Sequence, residues 1–453
     1  MSGRKHSVLR DPVHGDVHLS HEELALLDTP EMQRLRAVRQ LGTAYLVYPG
    51  ANHTRFEHMI GSCWMASRMI ESIERNRSLD PQVCLGVTEE EERLIRIAAL
   101  LHDVTHIPFG HNIEDQTGLF ERHDTAARIE RALQRGMLGD ELERLGVADE
   151  VMAILEAGPA KDLIPVCWKQ IISDTICADI FDYIARDAYY TGLNLSTDPR
   201  LIHSFKVDRA SGNLYIDVAK RGLVREDVLS EVVRMLEARY YFSERVYYHH
   251  AKIAAGALVA KAVEAAIASG AAEETQFYDQ TDDSLITFLE SLDYGEEAID
   301  RRVHRLLLRF RSRRLLKRCA VYPRYANEEI QESLIERFFA PGRHRERLEA
   351  ERRIEDAASA RLGREVDVML YCPARRMQLK EARIHVLFPG EDGVRPLSDF
   401  ADRIPRLKDL EDSYRNLWKF YVFSSEGSPA GIKAVAEVLD REIEGAVNVY
   451  RPG

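Results

Sequence analysis

The chain of 453 residues, 45% hydrophobic and 30% charged, is long enough to bury one large core or two or three lobes. Its net charge of −12 argues against nucleic-acid binding over the whole surface, although a local basic patch is compatible with it. The six cysteines are scattered without a CxxC pair, and the sequence has neither a signal-peptide core nor an apolar run long enough to span a bilayer. We therefore expect reduced thiols, no membrane partner and a cytoplasmic location.

The first predicted elements are short. Residues 7–18 contain proline and glycine between apolar pieces, which predicts a small hairpin. Ser20-x-x-Glu23 has the pattern of a capping box and predicts the start of a helix. Pro30 predicts the start of a second helix over 31–41, which Gly42 would end.

Two longer helices are predicted to carry histidines. His58 stands at the head of an apolar pattern with helical spacing that continues to about residue 73. A second helix, capped by Thr88-x-x-Glu91, delivers the pair His102-Asp103 at its end. His106 follows His102 by four positions, so on a continuous helix both rings would project from one face.

A lone His-Asp pair is usually an inert polar pair at a helix end, so the case for a site depends on further ligands. The segment 164–192 provides them, because Asp179, Asp182 and Asp187 recur at helical spacing on a face that should be apolar. Buried carboxylates must be paired or must bind metal. Asp179 is therefore a candidate partner of the histidines.

The remainder of the chain predicts a hairpin, more helices and a smaller second region. We expect a mainly α-helical core over 1–298 and a C-terminal α+β lobe over 299–453. The predicted elements are a hairpin at 204–219, helices over 225–269, an arginine-rich helix at 301–318, strands at 366–371 and 383–388, and helices at 408–420 and 430–445.

Two imidazoles and two carboxylates, from His58, His102, Asp103 and Asp179, form a ligand set suited to a divalent metal. Such ligation accommodates Mn, Fe, Zn or Co, with Mg as a further candidate. A bound ion would activate water and polarise a phosphoryl oxygen. Three further histidines have side chains that titrate near neutrality and could protonate a leaving oxygen or hold phosphate: His106, His111 and His123.

Several motifs around these residues resemble one known group of enzymes. They are DPVHG at 11–15, DTPEMQRLR at 28–36, YPGANHTRFEH at 48–58 and DYIARDAYYTG at 182–192. In spacing and flanking text the chain resembles the HD-domain metal phosphohydrolases, and within them the deoxynucleoside triphosphate triphosphohydrolase branch. The matching text covers roughly residues 7–255.

The resemblance implies an HD-domain helical core, a nucleotide substrate and a homo-oligomer. In this branch water attacks the α-phosphorus and releases a deoxynucleoside and intact triphosphate. The resemblance implies metal ligation by His58, His102, Asp103 and Asp179. It further implies catalysis by His106 and His123 with Glu114 in support, phosphate contacts from Arg55 and His111, and sugar or base contacts from Gln40, Leu41, Tyr183, Asp187 and Tyr247.

The chain departs from this branch at several positions. Ile180 follows the last predicted ligand where the best-known members place a phosphate-binding lysine. Thr105 and Glu114 replace a glycine and an aspartate, and Ser7 stands where a regulatory lysine is expected. A regulatory nucleotide at Asp28, Gln33 and Arg36 is therefore an open expectation.

Two alternatives stay open at this stage. One is an HD phosphohydrolase of another phosphoester, such as a nucleoside monophosphate or a cyclic nucleotide. The other is a nucleotide-sensing or nucleic-acid-binding regulator with a vestigial site, using the basic helix at 301–318, although such charge runs are more often solvated faces. His14, His53 and His304 are expected to be ordinary surface or core histidines.

Overall fold

The computed structural model describes residues 7–117, 119–158, 161–195, 197–340, 342–372 and 382–451, with the backbone alone for 115–117. Residues 1–6, which bear on the expectation of no signal peptide, lie outside this range. The described chain is mainly helical, as predicted. No helix within it has the length and apolar character needed to cross a bilayer. All six cysteines lie in the described part of the chain, where they are buried and form no disulfide.

The N-terminal elements follow the sequence signals with one exception. Strands β1 (Ser7–Asp11) and β2 (Gly15–Leu19) form the predicted antiparallel hairpin. Helix α1 (His21–Leu27) begins at the predicted capping box. Helix α2 (Pro30–Arg34) ends seven residues before the predicted end at residue 41. The prediction of a helix over 31–41 is therefore wrong.

The backbone after α2 leaves the helix because it pairs with another segment. Arg55 N donates to Val38 O at 2.9 Å, and Gln40 N donates to His53 O at 3.0 Å. These long-range hydrogen bonds replace the helical ones. They place Gln40 and Leu41 in a turn rather than on a helix.

Two long helices form the centre of the fold. Helix α3 (Arg55–Leu79) begins at Thr54, and α4 (Glu89–Leu101) begins at Thr88, each with a complete capping box. Helix α4 ends at Leu101, so the prediction that His102 and His106 share one helical face is wrong. Val104 N donates to Leu101 O, and His106 N donates to Asp103 O, which are tight-turn bonds that cannot extend the α-helix.

The rest of the core is built from further helices, most of them with one buried face, whereas residues 252–264 of the helix that begins at His250 are buried on all sides. Helix α10 carries the repeated carboxylates and packs along α3. A π-helix at Ser243–Tyr247 separates α11 from α12. The helices are α5 (His111–Thr117), α6 (Ala126–Leu133), α7 (Gly136–Leu145), α8 (Ala148–Ile154), α9 (Val166–Ile172), α10 (Ala178–Thr191), α11 (Glu226–Phe242), α12 (His250–Ala268), α13 (Asp282–Ser291) and α14 (Glu297–Arg311).

A five-stranded sheet joins distant parts of the chain. Strands β4 (Phe205–Asp208) and β5 (Leu214–Asp217) form the predicted hairpin, and β3 (Cys84–Leu85) pairs with β4. A separate short pair, β6 (Ala219–Lys220) and β7 (Leu223–Val224), follows. Strand β10 (His385–Leu387) runs parallel to β5 and pairs with β11 (Arg395–Pro396). The predicted division at 298/299 stays a prediction, and this sheet contains strands from both sides of it.

The C-terminal region is an α+β arrangement around a three-stranded sheet of order β8-β12-β9. Its strands are β8 (Lys317–Pro323), β9 (Val368–Tyr371) and β12 (Lys419–Ser424). Its helices are α15 (Arg324–Phe338), α16 (His344–Leu362), α17 (Pro405–Leu417) and α18 (Pro429–Glu442).

The arginine-rich helix ends earlier than predicted and its charges are largely used within the chain. Helix α14 stops at Arg311, and the segment from residue 317 is a strand. Arg302 pairs with Glu355 at 2.7 Å, and Arg305 pairs with Asp367 at 2.8 Å. These pairs reduce the free positive charge that a nucleic-acid contact would need.

A buried ionic cluster fastens helix α16 to helix α12. Arg347 forms an ion pair with Glu264, and Lys261 Nζ lies 2.7 Å from Glu351 Oε2. All four side chains are almost fully buried. Removing one member of such a cluster leaves an uncompensated charge, whereas removing both members of a pair does not.

We expect Arg347→Met to lower the free energy of unfolding by about 3–5 kcal/mol, because the Glu264 carboxylate loses its cation. Urea unfolding monitored by circular dichroism measures this. The matched control is Arg353→Met, since Arg353 pairs with Glu442 at the surface and should cost at most about 1 kcal/mol. Equal midpoints for the two variants would contradict the prediction.

Candidate functional site

Three helix ends bring the four predicted metal ligands together. His58 lies in the first turn of α3, His102 and Asp103 follow the end of α4, and Asp179 lies in the first turn of α10. One ligand atom each from His58, His102 and Asp103 lies within 4.8 Å of the others. Asp179 Oδ1 is 3.0 Å from His58 Nε2 and 3.6 Å from His102 Nε2.

The two imidazoles present buried nitrogens that lack a hydrogen-bond partner among the described residues. These atoms are His58 Nε2 and His102 Nε2. The other ring nitrogens are engaged: His102 Nδ1 donates to Ala99 O at 2.8 Å, and His58 Nδ1 donates to Asp182 Oδ2 at 2.7 Å. Each Nε2 can thus offer a lone pair beside two carboxylates, which is a donor set that fits a divalent cation.

The electrostatics of the cluster favour a cation. Burial lowers the pKa of His58, but the carboxylates of Asp179 and Asp182 outweigh it and raise the pKa to about 10. Burial raises the pKa of Asp179, and the two neighbouring imidazoles overcome this and hold the pKa below its usual range. Positive charge is stabilised at this point of the molecule.

A layer of polar residues behind the ligands was not predicted as part of the site. Asp182 is fully buried and accepts hydrogen bonds from His58, from His14 Nε2 at 2.7 Å and from Arg186. Arg186 also pairs with Asp11 at 2.8 Å. His14 is therefore not an ordinary surface histidine. The available signals were the DPVHG motif and the position of Asp182 one helical turn after Asp179.

The other three predicted histidines form a second group beside the ligands. One ligand atom each from His106, His111 and His123 lies within 4.8 Å of the others. The His106 ring stacks on His123 at 3.7 Å between centroids. His123 Nδ1 donates to Glu114 Oε2 at 2.9 Å, so the structure joins the predicted pair of imidazole and carboxylate.

His106 and Arg55 lie against Asp103. His106 Nε2 is 3.3 Å from Asp103 Oδ1, and burial together with the nearby Arg55 charge holds the pKa of His106 well below its usual range. Arg55, predicted to contact phosphate, is buried and forms an ion pair with Asp103 through Nη1. Its Nε has no hydrogen-bond partner among the described residues.

Asp187 is held by two side chains at the far end of the site. His53 Nε2 donates to Asp187 Oδ1 at 2.8 Å, and Tyr247 Oη donates to Asp187 Oδ2 at 2.8 Å. His53 is a buried core histidine, as one of the two expectations had it, and it contacts a predicted site residue. Gln40 Oε1 is buried and has no hydrogen-bond partner within the described chain.

Most predicted site residues line one cavity of about 640 Å³. His58 and Glu114 stand behind its wall, where they hold other residues in place. The predicted residues that line it are Gln40, Leu41, Arg55, His102, Asp103, His106, His111, His123, Asp179, Tyr183, Asp187 and Tyr247.

Position 180 does not contribute to this cavity. Ile180 is buried and packs into the hydrophobic core. The cavity wall nevertheless contains three further basic residues, Arg122, Lys169 and Lys252. Lys169 Nζ donates to Lys161 O at 2.6 Å and lies 3.0 Å from the carboxylate of Glu156. The Lys169 side chain is 16% exposed and that of Glu156 is 63% exposed, so Glu156 is the partner that an anion in the cavity could replace.

Asp282 on α13 holds two loops of the cavity in place. Its carboxylate accepts hydrogen bonds from Arg39 N at 3.1 Å and from Phe109 N at 3.2 Å. Phe109 has a φ of 58°, a left-handed conformation that is strained for a non-glycine residue. The loops so held carry Gln40 and His111. The sequence contained no local signal for this contact.

Burial raises the pKa of Asp282 from 3.8 to about 6 despite the Arg39 charge. The folded state therefore binds a proton at Asp282 more tightly than the unfolded state does. This proton binding stabilises the fold fully below about pH 4, and the stabilisation is lost as the pH rises to about 6. We expect the stability of Asp282→Asn, relative to the wild type, to gain about 2 kcal/mol between pH 4 and pH 7. Urea unfolding at a series of pH values measures this, and the exposed neighbour variant Asp283→Asn should show no such trend.

Two family descriptions match the chain. Residues 55–157 match the family described as HD domain, and residues 218–447 match the family described as HD associated region. The first match contains His58, His102 and Asp103, and the second begins after α10.

Curated proteins resemble this chain in sequence, and a solved structure resembles it in fold. An uncharacterized protein of Methanocaldococcus jannaschii is 26% identical over 444 residues, which cover 97% of this chain and 83% of that protein. The deoxynucleoside triphosphate triphosphohydrolase SAMHD1 of Gallus gallus is 28% identical over 271 residues, which cover 53% of this chain and 42% of that protein. A phosphohydrolase structure from Bacteroides thetaiotaomicron has a TM-score of 0.64 at 21% identity and covers 92% of this chain and 99% of its own. That likeness shows the fold.

Proposed function

Because the chain belongs to the HD-domain superfamily, in its deoxynucleoside triphosphate triphosphohydrolase-like branch, we propose that it hydrolyses deoxynucleoside triphosphates to deoxynucleoside and triphosphate. The observation that carries the proposal is the cluster of His58, His102, Asp103 and Asp179 at the wall of a cavity large enough for a nucleotide. A divalent cation bound there supplies an activated water and an electrophile for a phosphoryl oxygen.

We assign the general acid to His123. Glu114 accepts the Nδ1 proton, which orients the ring and leaves Nε2 for the cavity side. A protonated Nε2 can donate to the nucleoside 5′ oxygen as its bond to phosphorus breaks. His106 lies between His123 and Asp103, and its low pKa keeps it neutral, so it serves as a hydrogen-bonding neighbour of the reacting phosphate.

Phosphate binding is assigned to Arg55, to His111 and to two further cations that line the cavity, Lys169 and Arg122. The Arg55 guanidinium already contacts Asp103, and its free Nε can donate to a phosphate oxygen. Lys169 and Arg122 bring positive charge to the same cavity without a lysine at position 180. This supports a substrate with several phosphates.

Nucleoside recognition is assigned to the end of the cavity that contains Asp187. With His53 and Tyr247 fixing its carboxylate, Asp187 can accept a hydrogen bond from the sugar 3′-hydroxyl without moving. The unpartnered amide oxygen of Gln40 provides a second acceptor. Leu41 is apolar and buried at the wall, where it would leave a 2′-hydroxyl without a partner. Tyr183 lines the same wall and is the candidate for packing on the sugar.

Partners of the chain remain expectations from the resemblance. Homo-oligomerisation, a regulatory nucleotide and a cytoplasmic location belong to this group. For the regulatory nucleotide, the structure places Gln33 and Arg36 side by side at the surface, with Arg36 Nε donating to Gln33 Oε1 at 2.8 Å.

One observation favours a second candidate function. Position 180 is a buried isoleucine and supplies no positive charge for a polyphosphate. The alternative is therefore hydrolysis of a nucleoside monophosphate or another phosphoester. Such a substrate would not need Lys169 or Arg122.

Product analysis separates the two candidates. The purified protein is incubated with each dNTP, NTP and dNMP in the presence of Mn²⁺ or Mg²⁺, and products are separated by ion-exchange chromatography. Deoxynucleoside with intact triphosphate is the expected result. Orthophosphate from monophosphates alone would establish the alternative. A mixture of all nucleotides is included, because a required activator would otherwise hide the activity.

A further inference from the structure

We propose that the N-terminal hairpin β1–β2 is part of the metal centre and that its His14 is a positioning residue for the ligand His58. The contact between them runs through the carboxylate of Asp182. The proposal rests on the metal dependence within the proposed function but on none of its substrate assignments.

The geometry around Asp182 carries the proposal. Its two oxygens are divided between two imidazoles, with His14 Nε2 2.7 Å from Oδ1 and His58 Nδ1 2.7 Å from Oδ2. A carboxylate accepts hydrogen bonds, so both rings donate to it. The donation from Nδ1 turns the other nitrogen of His58 toward the cluster, where its lone pair is needed.

Hydrogen bonds within the hairpin turn fix the position of His14. Asp11 Oδ1 accepts from the backbone N–H groups of Val13 at 2.9 Å and His14 at 2.8 Å, and Gly15 completes the turn with a φ of 78°. Asp11 Oδ2 accepts from Arg186 Nη1 at 2.8 Å. The turn is thereby tied to helix α10 by a charge-assisted hydrogen bond that is separate from the histidine.

Helix α3 makes room for the same group of side chains. A Cβ atom at Gly61 would lie 1.8 Å from Asp182 Oδ1 and 2.5 Å from Arg186 Nη2. A glycine one turn after His58 therefore lets the carboxylate approach the helix that bears the ligand. Three elements, the hairpin, α3 and α10, meet at one buried carboxylate.

Loss of His14 leaves Asp182 Oδ1 to Arg186 Nη2 at 2.8 Å, while Arg186 Nε and His58 Nδ1 stay on Oδ2. The carboxylate then has one fixed partner fewer, so it holds the His58 ring less firmly. Groups that hydrogen-bond a metal ligand directly, as Asp182 does, typically change metal affinity by about 10–100-fold, and His14, which acts through Asp182, should change it less. The hairpin itself should persist, because Asp11 still pairs with Arg186.

The test measures Mn²⁺ affinity without any nucleotide. The full chain and its variants are titrated with Mn²⁺ in competition with a chelator of known affinity. We expect His14→Ala to bind Mn²⁺ about threefold to tenfold more weakly, less than the loss typical of a direct partner of a ligand, and His14→Gln, which keeps a donor, to recover part of the loss. The control His18→Ala lies on β2 of the same hairpin with an exposed side chain, and it should match the wild type.

The outcomes are separable from those of the proposed function. Unchanged affinity in a folded His14→Ala, with its melting temperature in chelator near that of the wild type, would overturn the inference, as would a wild type that binds no Mn²⁺. If His14→Ala does not fold, His14→Phe takes its place, because phenylalanine keeps a ring but has no donor for Asp182: an unchanged affinity overturns the inference and a weaker one supports it. Weakened Mn²⁺ binding in a chain that hydrolyses no dNTP would uphold the inference while the substrate assignment fails.

Discussion

The double variant H102A/D103A should retain neither bound metal nor turnover. It removes one imidazole and one carboxylate from the cluster, so the remaining pair, His58 and Asp179, cannot hold a divalent cation. It also removes the carboxylate that pairs with the buried Arg55, which places an unpaired positive charge beside the site. Metal content by plasma mass spectrometry and product formation by chromatography measure the two losses.

The matched control is His304→Ala, a histidine on an exposed position of α14. It should keep the metal content and the turnover of the wild type. Turnover by H102A/D103A at more than the assay background would show that the reaction does not use this cluster. A variant that keeps metal but loses turnover would place the cation elsewhere in the chain.

The variant His123→Ala should lower kcat by about 10²–10⁴-fold and leave the metal content unchanged. The nucleoside 5′ oxygen is a poor leaving group and needs a proton as its bond to phosphorus breaks. Glu114→Gln should give a smaller loss, because the amide can still hold the His123 ring although it no longer stabilises the charged imidazole. Steady-state kinetics on the same dNTP measure both.

Two further measurements connect these losses to proton donation. The double variant E114Q/H123A should be no slower than His123→Ala alone, since both residues act in one step. In a phosphate ester of 4-nitrophenol the leaving group is 4-nitrophenolate, which needs no proton. The kcat of His123→Ala should therefore fall far less on this ester than on a dNTP. Equal losses on both substrates would contradict the assignment of His123 as the acid.

Local sequence signals predicted most of the helices in this fold. The capping boxes at Ser20 and Thr88 predicted helix starts correctly, because a cap depends on residues three positions apart. The carboxylates of 164–192 predicted the polar face of α10 for the same reason. The mainly helical fold and the HD family followed from these patterns and from co-linear motifs.

Errors occurred where distant segments meet. The helix predicted over 31–41 gives way to backbone pairing with residues 53–55, and the arginine-rich helix ends where β8 begins its sheet. Strand β10 was predicted as a strand, but nothing near it in sequence indicated β5 as its partner. Long-range hydrogen bonds determine where such elements end and which strands pair, and they produce no periodic pattern in the local sequence.

The sequence by itself determined the chemistry of this protein's candidate site: which imidazoles and carboxylates are available, and near which helix ends most of them stand. Only the tertiary structure decided how they are held. It joined His14 to Asp182, His53 to Asp187 and Asp282 to the loops of the cavity. The physical reason is that a ligand's identity is a property of one residue, whereas its orientation depends on buried hydrogen bonds between residues more than a hundred positions apart.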